Sequence, residues 1–427
     1  MRFDSLQQWL GWQESLNPKT IDLGLDRVRQ VLSALDLSED FNCPVITVAG
    51  TNGKGSSVAM LESILRAANY RVGCYTSPHL FHYNERIRIN GQPVTDHKLC
   101  QAFETVDQAR GDVALTYFEF GTLAALIIFA QTGLDVMVLE VGLGGRLDAV
   151  NVINPDVALI SSVGMDHMEW LGADIDSIAR EKAGIFRANR AAIYGGLKAM
   201  PAIQQMANET GASLIAAGKD YLFQNVSDKT WQFHGPDIHY PDLPKPSLQG
   251  QVQVQNAAAV VMVLNQLHLP RAQTVAAITE GLNHIELAGR CQTIQKRPQV
   301  IVDVAHNPEA AEALTEALSG LEHHGRTLAV VAMLGDKAAA EVVAKMFSVV
   351  DQWFTAGLTV CRGLDADSMA KAVNSQLPDG TLSAGKTVAE SCERALSMMD
   401  EDDRLIVFGS FYTVVEATDY FNGINLG

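Results

Sequence analysis

Positive charge is scarce in this sequence. Its 427 residues carry 32 Lys and Arg against 49 Asp and Glu, a formal net charge of −17. The deficit is spread evenly, with 21 basic and 30 acidic residues up to Gly289 and 11 and 19 after it. Neither part is a basic module, so nucleic-acid binding driven by phosphate neutralisation is excluded. Long apolar runs are also missing. The most apolar stretch, 123–130, is far short of the roughly 20 residues that cross a bilayer, so no membrane association is expected. Residues 1–16 mix Arg, Asp, Gln and Trp with single apolar side chains and lack the core of a signal peptide. The six cysteines are scattered without a CxxC pair, which excludes a disulfide framework and a structural zinc site. Reduced thiols in a cytoplasmic protein are the expectation.

What is present is a chain long enough for two or three domains at about 150 residues each, 47% hydrophobic and 19% charged. Short β-branched runs alternate with helical stretches, the pattern of α/β units around largely parallel sheets. Strands are expected at 44–49, 70–75, 135–140 and 156–161, with a helix at 56–68. Prolines at 236, 241, 244 and 246 predict irregular or strand-edge structure. Helices follow at 256–267 and 272–285. After Gly289 the alternation restarts, with strands at 299–303, 327–333 and 404–409, helices at 308–318 and 336–347, and a last helix. This restart reads as a second, smaller α/β domain.

The chemistry-bearing residues follow the strands. Gly50, Thr51, Asn52, Gly53, Lys54, Gly55 and Ser56 lie between a strand and a helix, the context of a phosphate-binding loop. Glycines let backbone N–H groups turn toward phosphate oxygens, and Lys54 adds a mobile charge. The spacing departs from G-x-x-x-x-G-K-[ST]: Val48 replaces the first glycine and the hydroxyl arrives one residue late, at Ser56. Glu140 ends a strand before a glycine-rich turn and is placed to hold Mg²⁺. His167 also follows a strand, read as a neighbour of the Glu140 strand, and Ser77 could complete a magnesium shell. Thr116, Tyr117, Phe118 and Glu119 cluster aromatics and one acid, which suits a flat heterocycle and equally suits the start of a core helix. In the later part, Asn307 reads as an N-cap with Pro308 at the first helical position. That leaves Asp303 and His306 unexplained at a strand end, where Asp303 could accept hydrogen bonds from a ribose.

Taken together in order, GTNGKGS, TSPHL, LTYFEFGT, LEVGLGGRLDA, MDH, REKAGIF and DVAHNP resemble the folylpolyglutamate synthases of the Mur ligase superfamily, over about residues 20–410. The resemblance implies a P-loop ATPase domain of Mur ligase type over 1–287 that binds ATP and pterin, a hinge at 288–290, and a smaller Rossmann-like glutamate ligase domain over 291–427. It implies that Thr51, Asn52, Gly53, Lys54, Gly55 and Ser56 hold the ATP phosphates. Asn256, Arg290 and Asp303 match further nucleotide contacts. Ser77, Glu140 and His167 match ligands of two Mg²⁺ ions. Lys182 matches a lysine carried as N6-carboxylysine, and with Lys54 and His167 it falls in the catalytic set. In members that also form dihydrofolate, the pterin lies against residues matching Ile21, Asp22, Leu23, Gly24, Thr116 to Glu119, Leu147, Asp148 and Ala149. The implied substrates are ATP, L-glutamate, dihydropteroate, and tetrahydrofolate with its polyglutamates. A monovalent cation such as K⁺ and a monomeric state are implied as well. The sequence departs from the family at Ala288, where proline is usual, and at Cys291, where an aromatic residue is common.

The implied reaction is attack of a substrate carboxylate on the γ-phosphate of ATP, followed by attack of the glutamate amine on the acyl phosphate. A peptidoglycan-type Mur ligase fits less well, since only about 45 residues precede the phosphate loop here, fewer than a separate UDP-binding domain needs. A P-loop switch or motor would hydrolyse nucleotide without regard to glutamate.

Overall fold

The computed structural model describes residues 2–17, 19, 21–267, 269–360, 362–374 and 382–425. The chain forms two compact units, one of Met1–Ser247 with Gln253–Glu286 and one of Leu248–Val252 with Leu287–Gly427. The first is built on an eight-stranded sheet. Its strands in chain order are β1 (Val45–Ala49), β2 (Val72–Tyr75), β3 (Ile87–Ile89), β4 (Gln92–Pro93), β5 (Val136–Glu140), β6 (Val157–Ile160), β7 (Ala191–Tyr194) and β8 (Ser213–Ala216). They lie in the order β4-β3-β2-β5-β1-β6-β7-β8. All neighbouring pairs are parallel except β2/β3 and β3/β4, which form an antiparallel edge.

Strands β1, β2, β5 and β6 are buried at every position. That is why they read as continuous apolar runs and not as alternation: helices cover both faces of a parallel sheet. The chain leaves β1 toward β2 on one side, while β6 extends the sheet on the other. The carboxyl end of β1 is therefore the point where the winding reverses, the place in an open α/β sheet where ligands bind. The helix Lys54–Ala67 starts there.

The proline-rich stretch contributes to a small antiparallel sheet, β9 (Leu222–Asn225), β10 (Thr230–His234) and β11 (His239–Pro244), with β11 at an edge. Pro241 and Pro244 sit on that edge strand, where a missing N–H costs no ladder bond. The second unit holds a six-stranded sheet of β12 (Gln292–Lys296), β13 (Gln299–Asp303), β14 (Thr327–Val331), β15 (Gln352–Thr355), β16 (Leu382–Ala384) and β17 (Arg404–Phe408). Its order is β12-β13-β17-β14-β15-β16, parallel except for β12. This is the Rossmann-like arrangement expected. The helix expected over 336–347 is shorter, Ala339–Ala344. The residues before it are held in a loop instead, where Gly335 N–H donates to Arg362 O and Leu364 N–H to Met333 O.

Candidate active site

Strand register brings the loop residues to one edge of the first sheet. Val48 lies opposite Glu140, Tyr75 opposite Leu139 and Ala49 opposite Ile160. Gly50, Ser77, the Glu140 carboxylate and Ser161 thus emerge from the ends of four successive strands. One expectation is corrected here. The strands that end at Glu140 and precede His167, β5 and β6, are not neighbours, because β1 lies between them.

The phosphate loop is pinned to the segment after β6. Thr51 N–H donates to Ser162 O (2.9 Å), Gly164 N–H to Thr51 Oγ1 (2.9 Å), and Asn52 N–H to Ser162 Oγ (3.0 Å). The Ser161 and Ser162 hydroxyls both donate to Asn52 O. Gly53 has φ +87°, and a Cβ there would lie 2.7 Å from Asn256 Oδ1. Glycine is required both by the backbone and by the close approach of Asn256. Asn256 is buried and donates to Gln253 Oε1 at 3.1 Å. Lys54 Nζ folds back on the loop, donating to Gly50 O (3.0 Å) and Thr51 O (3.3 Å).

Beside the loop, Glu140 is buried at the end of β5 and accepts the Ser77 N–H at 3.2 Å. His167 adopts φ +51° at the start of the short helix Met168–Leu171, with Nε2 3.8 Å from Asp166 Oδ2. Among the described residues no three His, Cys, Asp or Glu side chains form a preassembled metal cage. The Ser77 hydroxyl and Glu140 carboxylate nonetheless fit Mg²⁺. They are hard oxygen donors at a phosphate loop, and Mg²⁺ is usually held by one or two carboxylates plus waters and substrate phosphates.

Lys182, in the helix Ile175–Ala183, is 4% exposed. Burial chiefly, with the nearby Lys54 acting in the same direction and Asp166 opposing both, pushes its amine down to about 7. The turn after Glu140 packs on that helix: Arg146 N–H donates to Glu181 O, and a Cβ at Gly145 would meet Lys182 O at 2.8 Å. Asp148 ends the same turn, accepting from Leu143 N–H (2.8 Å) and Val150 N–H (3.0 Å). Burial raises its carboxyl to about 7 despite these bonds and the charge of Lys54.

The three segments singled out for a pterin meet. Gly24 N–H donates to Leu147 O. Phe118 packs against Gly142, where a Cβ would lie 2.7 Å from its ring, and 5.8 Å from the Tyr75 ring centroid. The Arg27 guanidinium bonds both Asp22 and Glu119. Thr116 and Glu119 also form a capping box on the helix Tyr117–Ala130, Glu119 Oε2 accepting the Thr116 N–H at 2.7 Å. The core-helix reading of this cluster is therefore correct, and the T-x-x-E spacing is its signal in the sequence. Arg27 was not singled out by sequence, and nothing local marks it.

In the second unit, the Arg290 guanidinium lies 5.5 Å from the Phe411 ring centroid. Asp303 ends β13 and is buried, a desolvation that raises its carboxyl pKa. Its oxygens accept the Cys291 and Ala305 N–H groups, both at 2.7 Å. Asp303 is thus not structurally unexplained, as the sequence suggested: it clamps the turn at Cys291, whose φ is +43°. His306 Nδ1 lies 2.8 Å from Val304 O. Asn307 caps the helix Pro308–Ser319 as expected, accepting the Ala310 N–H at 2.9 Å.

No helix among the described residues is long and apolar enough to cross a membrane, and the five described cysteines are free; Cys361 lies outside the described residues. Comparison with known proteins matches residues 48–264 to the Mur ligase middle domain and residues 289–411 to the Mur ligase, glutamate ligase domain. The chain is 42% identical over 422 residues to the dihydrofolate synthase/folylpolyglutamate synthase of Escherichia coli (strain K12), covering 99% of this chain and 97% of that one. Among solved structures, Escherichia coli FolC in complex with DHPP and ADP superposes with a TM-score of 0.92 at 42% identity over 99% of each chain. A bifunctional folylpolyglutamate synthase/dihydrofolate synthase with Mn, AMPPNP and L-glutamate bound superposes with a TM-score of 0.90 at 40% identity over 98% of each. With both Mur ligase domains matched in order and this identity sustained along nearly its whole length, the chain belongs to the dihydrofolate synthase/folylpolyglutamate synthase family of ATP-dependent ligases.

Proposed function

We propose that this chain adds L-glutamate to 7,8-dihydropteroate, giving dihydrofolate, and to tetrahydrofolate and its polyglutamates, with ATP converted to ADP and phosphate. The observation that carries the reading is the phosphate loop at the carboxyl end of β1, with Lys54 on it, Glu140 and Ser77 on one side and Asn256 against Gly53. The substrate carboxylate attacks the γ-phosphate and forms an acyl phosphate. The neutral amine of glutamate then attacks the acyl carbon, loses a proton and expels phosphate.

An anionic carboxylate approaching an anionic triphosphate is repelled, so charge must be neutralised as the bond forms. Lys54 and the N–H groups of Gly53 to Ser56, at the start of the helix, do this on the phosphate side. Lys54 Nζ rests on the loop carbonyls of Gly50 and Thr51, 3.0 and 3.3 Å away, on the loop that would hold the phosphates. Ser77, Glu140 and His167 would hold Mg²⁺, which supplies Lewis-acid stabilisation of the phosphoryl oxygens when bound. Asn256, Arg290 and Asp303 are assigned to the nucleotide, Asp303 through lone pairs left over by its two backbone bonds.

Lys182 is assigned as the carbamylated lysine. Carbamylation joins a neutral amine to CO₂ with loss of one proton, and the buried amine near 7 supplies the neutral form at physiological pH. The pterin is assigned to Ile21–Gly24, Thr116–Glu119 and Leu147–Ala149. Ring N–H and amino donors of a pterin suit the carboxyl groups of Asp22 and Asp148, Glu119 braces the segment through Arg27 and the Thr116 N–H, and Phe118 offers a face for stacking. We divide the chain into a catalytic domain (1–287), a hinge (288–290) and a glutamate ligase domain (291–427), and place it in the cytoplasm as a monomer.

Dihydropteroate and tetrahydrofolate, assayed separately with ATP, Mg²⁺ and labelled glutamate, test the proposal. Labelled product is expected from both. Product from tetrahydrofolate alone rejects the dihydrofolate synthase activity, and absence of glutamate-dependent ADP release with either acceptor rejects the ligase.

A further inference from the structure

The loop 21–24 has no regular structure of its own, yet it must be held against the amino end of the helix Tyr117–Ala130 for the pterin assignment above to work. Two ties hold it. One is the bond from Gly24 N–H to Leu147 O (3.2 Å). The other is Arg27, in the first turn of the helix Asp26–Ala34. Its guanidinium reaches Asp22 twice, through the backbone oxygen and through Oδ2 (2.9 Å), and spans to Glu119, with Nε 3.2 Å from both carboxylate oxygens and Nη2 3.0 Å from Oε1. The side chain is 28% exposed and the Glu119 side chain 5%.

We propose that Arg27 is a positioning residue for the pterin end of the acceptor, acting through Asp22 and Glu119. A planar fork of five donors holds two acceptor groups in fixed relation, which a point charge does not. It also joins a cation to two of the three carboxylates on the pterin-binding segments: both Glu119 oxygens are taken up by Arg27 and the Thr116 N–H, which leaves the more exposed Asp22 to meet ring donors. Removing it does not unmake the helix start, because Glu119 keeps its capping bond to the Thr116 N–H. The loss is confined to the placement of 21–24 against 116–119. The effect therefore falls on acceptor affinity, not on the ATP or glutamate steps.

The inference rests on the pterin assignment, and the experiment separates the two. Steady-state constants are measured for wild type, Arg27→Met and Arg27→Lys, with melting temperatures alongside. Arg27→Met is expected to raise KM for dihydropteroate and tetrahydrofolate about tenfold or more, the scale of lost hydrogen bonds between charged groups. KM for ATP and glutamate should stay within about twofold, and Arg27→Lys should recover only part of the loss. Unchanged acceptor KM overturns the inference, as does an equal rise in every KM with a lowered melting temperature. Phe118→Ala is titrated with dihydropteroate in parallel. If it loses binding while Arg27→Met binds as wild type does, Arg27 has no positioning role and the pterin assignment stands. If Phe118→Ala binds as wild type does, the assignment itself fails and takes the inference with it.

Discussion

Replacing Lys182 with methionine removes one buried amine at nearly constant shape, and the structure dictates how the consequence varies with pH. The amine sits near 7 in the folded protein against 10.5 for an ordinary lysine, chiefly because of burial. Between those values the unfolded chain holds a proton that the folded chain does not, so stability rises with pH across the window. The slope is at most about 1.4 kcal/mol per pH unit, and the window therefore spans about 5 kcal/mol. Below pH 7 the folded protein carries the whole cost of a buried cation. Lys182→Met has no such cost and should be the more stable protein at pH 6, by a few kcal/mol after relaxation around the charge. Its advantage should shrink steadily above pH 7 and be nearly gone by pH 10.

Urea unfolding of both proteins at pH 6, 7, 8 and 9, in buffer freed of CO₂, measures this directly. A stability difference that does not change with pH refutes the placement of Lys182 as a desolvated, depressed amine. The same amine should react with CO₂ near neutrality. With ¹³C-labelled bicarbonate a carbamate resonance is expected at pH 7 to 8 in wild type and none in Lys182→Met. Unmodified Lys182 at pH 8 under saturating bicarbonate counts against carbamylation while leaving the stability argument intact.

Lys54→Ala should reduce glutamate-dependent ADP release at least about a hundredfold, since one preorganised charge is lost from phosphoryl transfer, with the melting temperature unchanged; near-normal turnover sinks the phosphate-loop assignment. Gly53→Ala forces a side chain onto φ +87° and against Asn256, so it should cost about 1–2 kcal/mol and raise KM for ATP, both absent if the loop tolerates a Cβ. Asp303→Ala strips the acceptors from two buried N–H groups and should destabilise the second unit by about 2–4 kcal/mol, seen as a lower unfolding midpoint by Trp353 fluorescence; an unmoved midpoint contradicts the clamp.

Much of this was legible because it is local. A fully buried parallel strand must be a short apolar run, and a loop that turns backbone amides inward must use glycine, so β1 and Gly50 to Ser56 could be read directly. The strand ending at Asp303 and the Asn307–Pro308 helix start were equally visible. Strand order is not local: periodicity cannot show that β1 lies between β5 and β6, and so the sequence reads Glu140 and His167 onto neighbouring strands. Of the antiparallel sheet β9–β11 the sequence shows only the proline-marked edge character around 236–246, because three of the four β9 residues and half of β11 are exposed, which leaves little hydrophobic alternation. Asp303 looked like a free ligand for the same reason that Arg27 looked like nothing. The partners of both are set by tertiary contacts, Cys291 twelve residues away and Glu119 ninety-two residues away.

The charge deficit and the state of Lys182 are linked. A protein of net charge −17 does not draw in ATP, glutamate and a pteroate carboxylate by its overall field, so attraction has to be concentrated at the phosphate loop. Two neighbouring ammonium groups there would work against each other, and the structure resolves the conflict by burial, which lowers the Lys182 amine while Lys54 lowers it further. A neutral Lys182 leaves Lys54 as the cation that meets phosphate. A carbamylated Lys182 reverses the sign at that position and becomes a partner for a divalent cation. The same desolvation that makes the bare lysine costly at low pH therefore prepares it for modification, and the stability and bicarbonate experiments probe one physical cause from two sides.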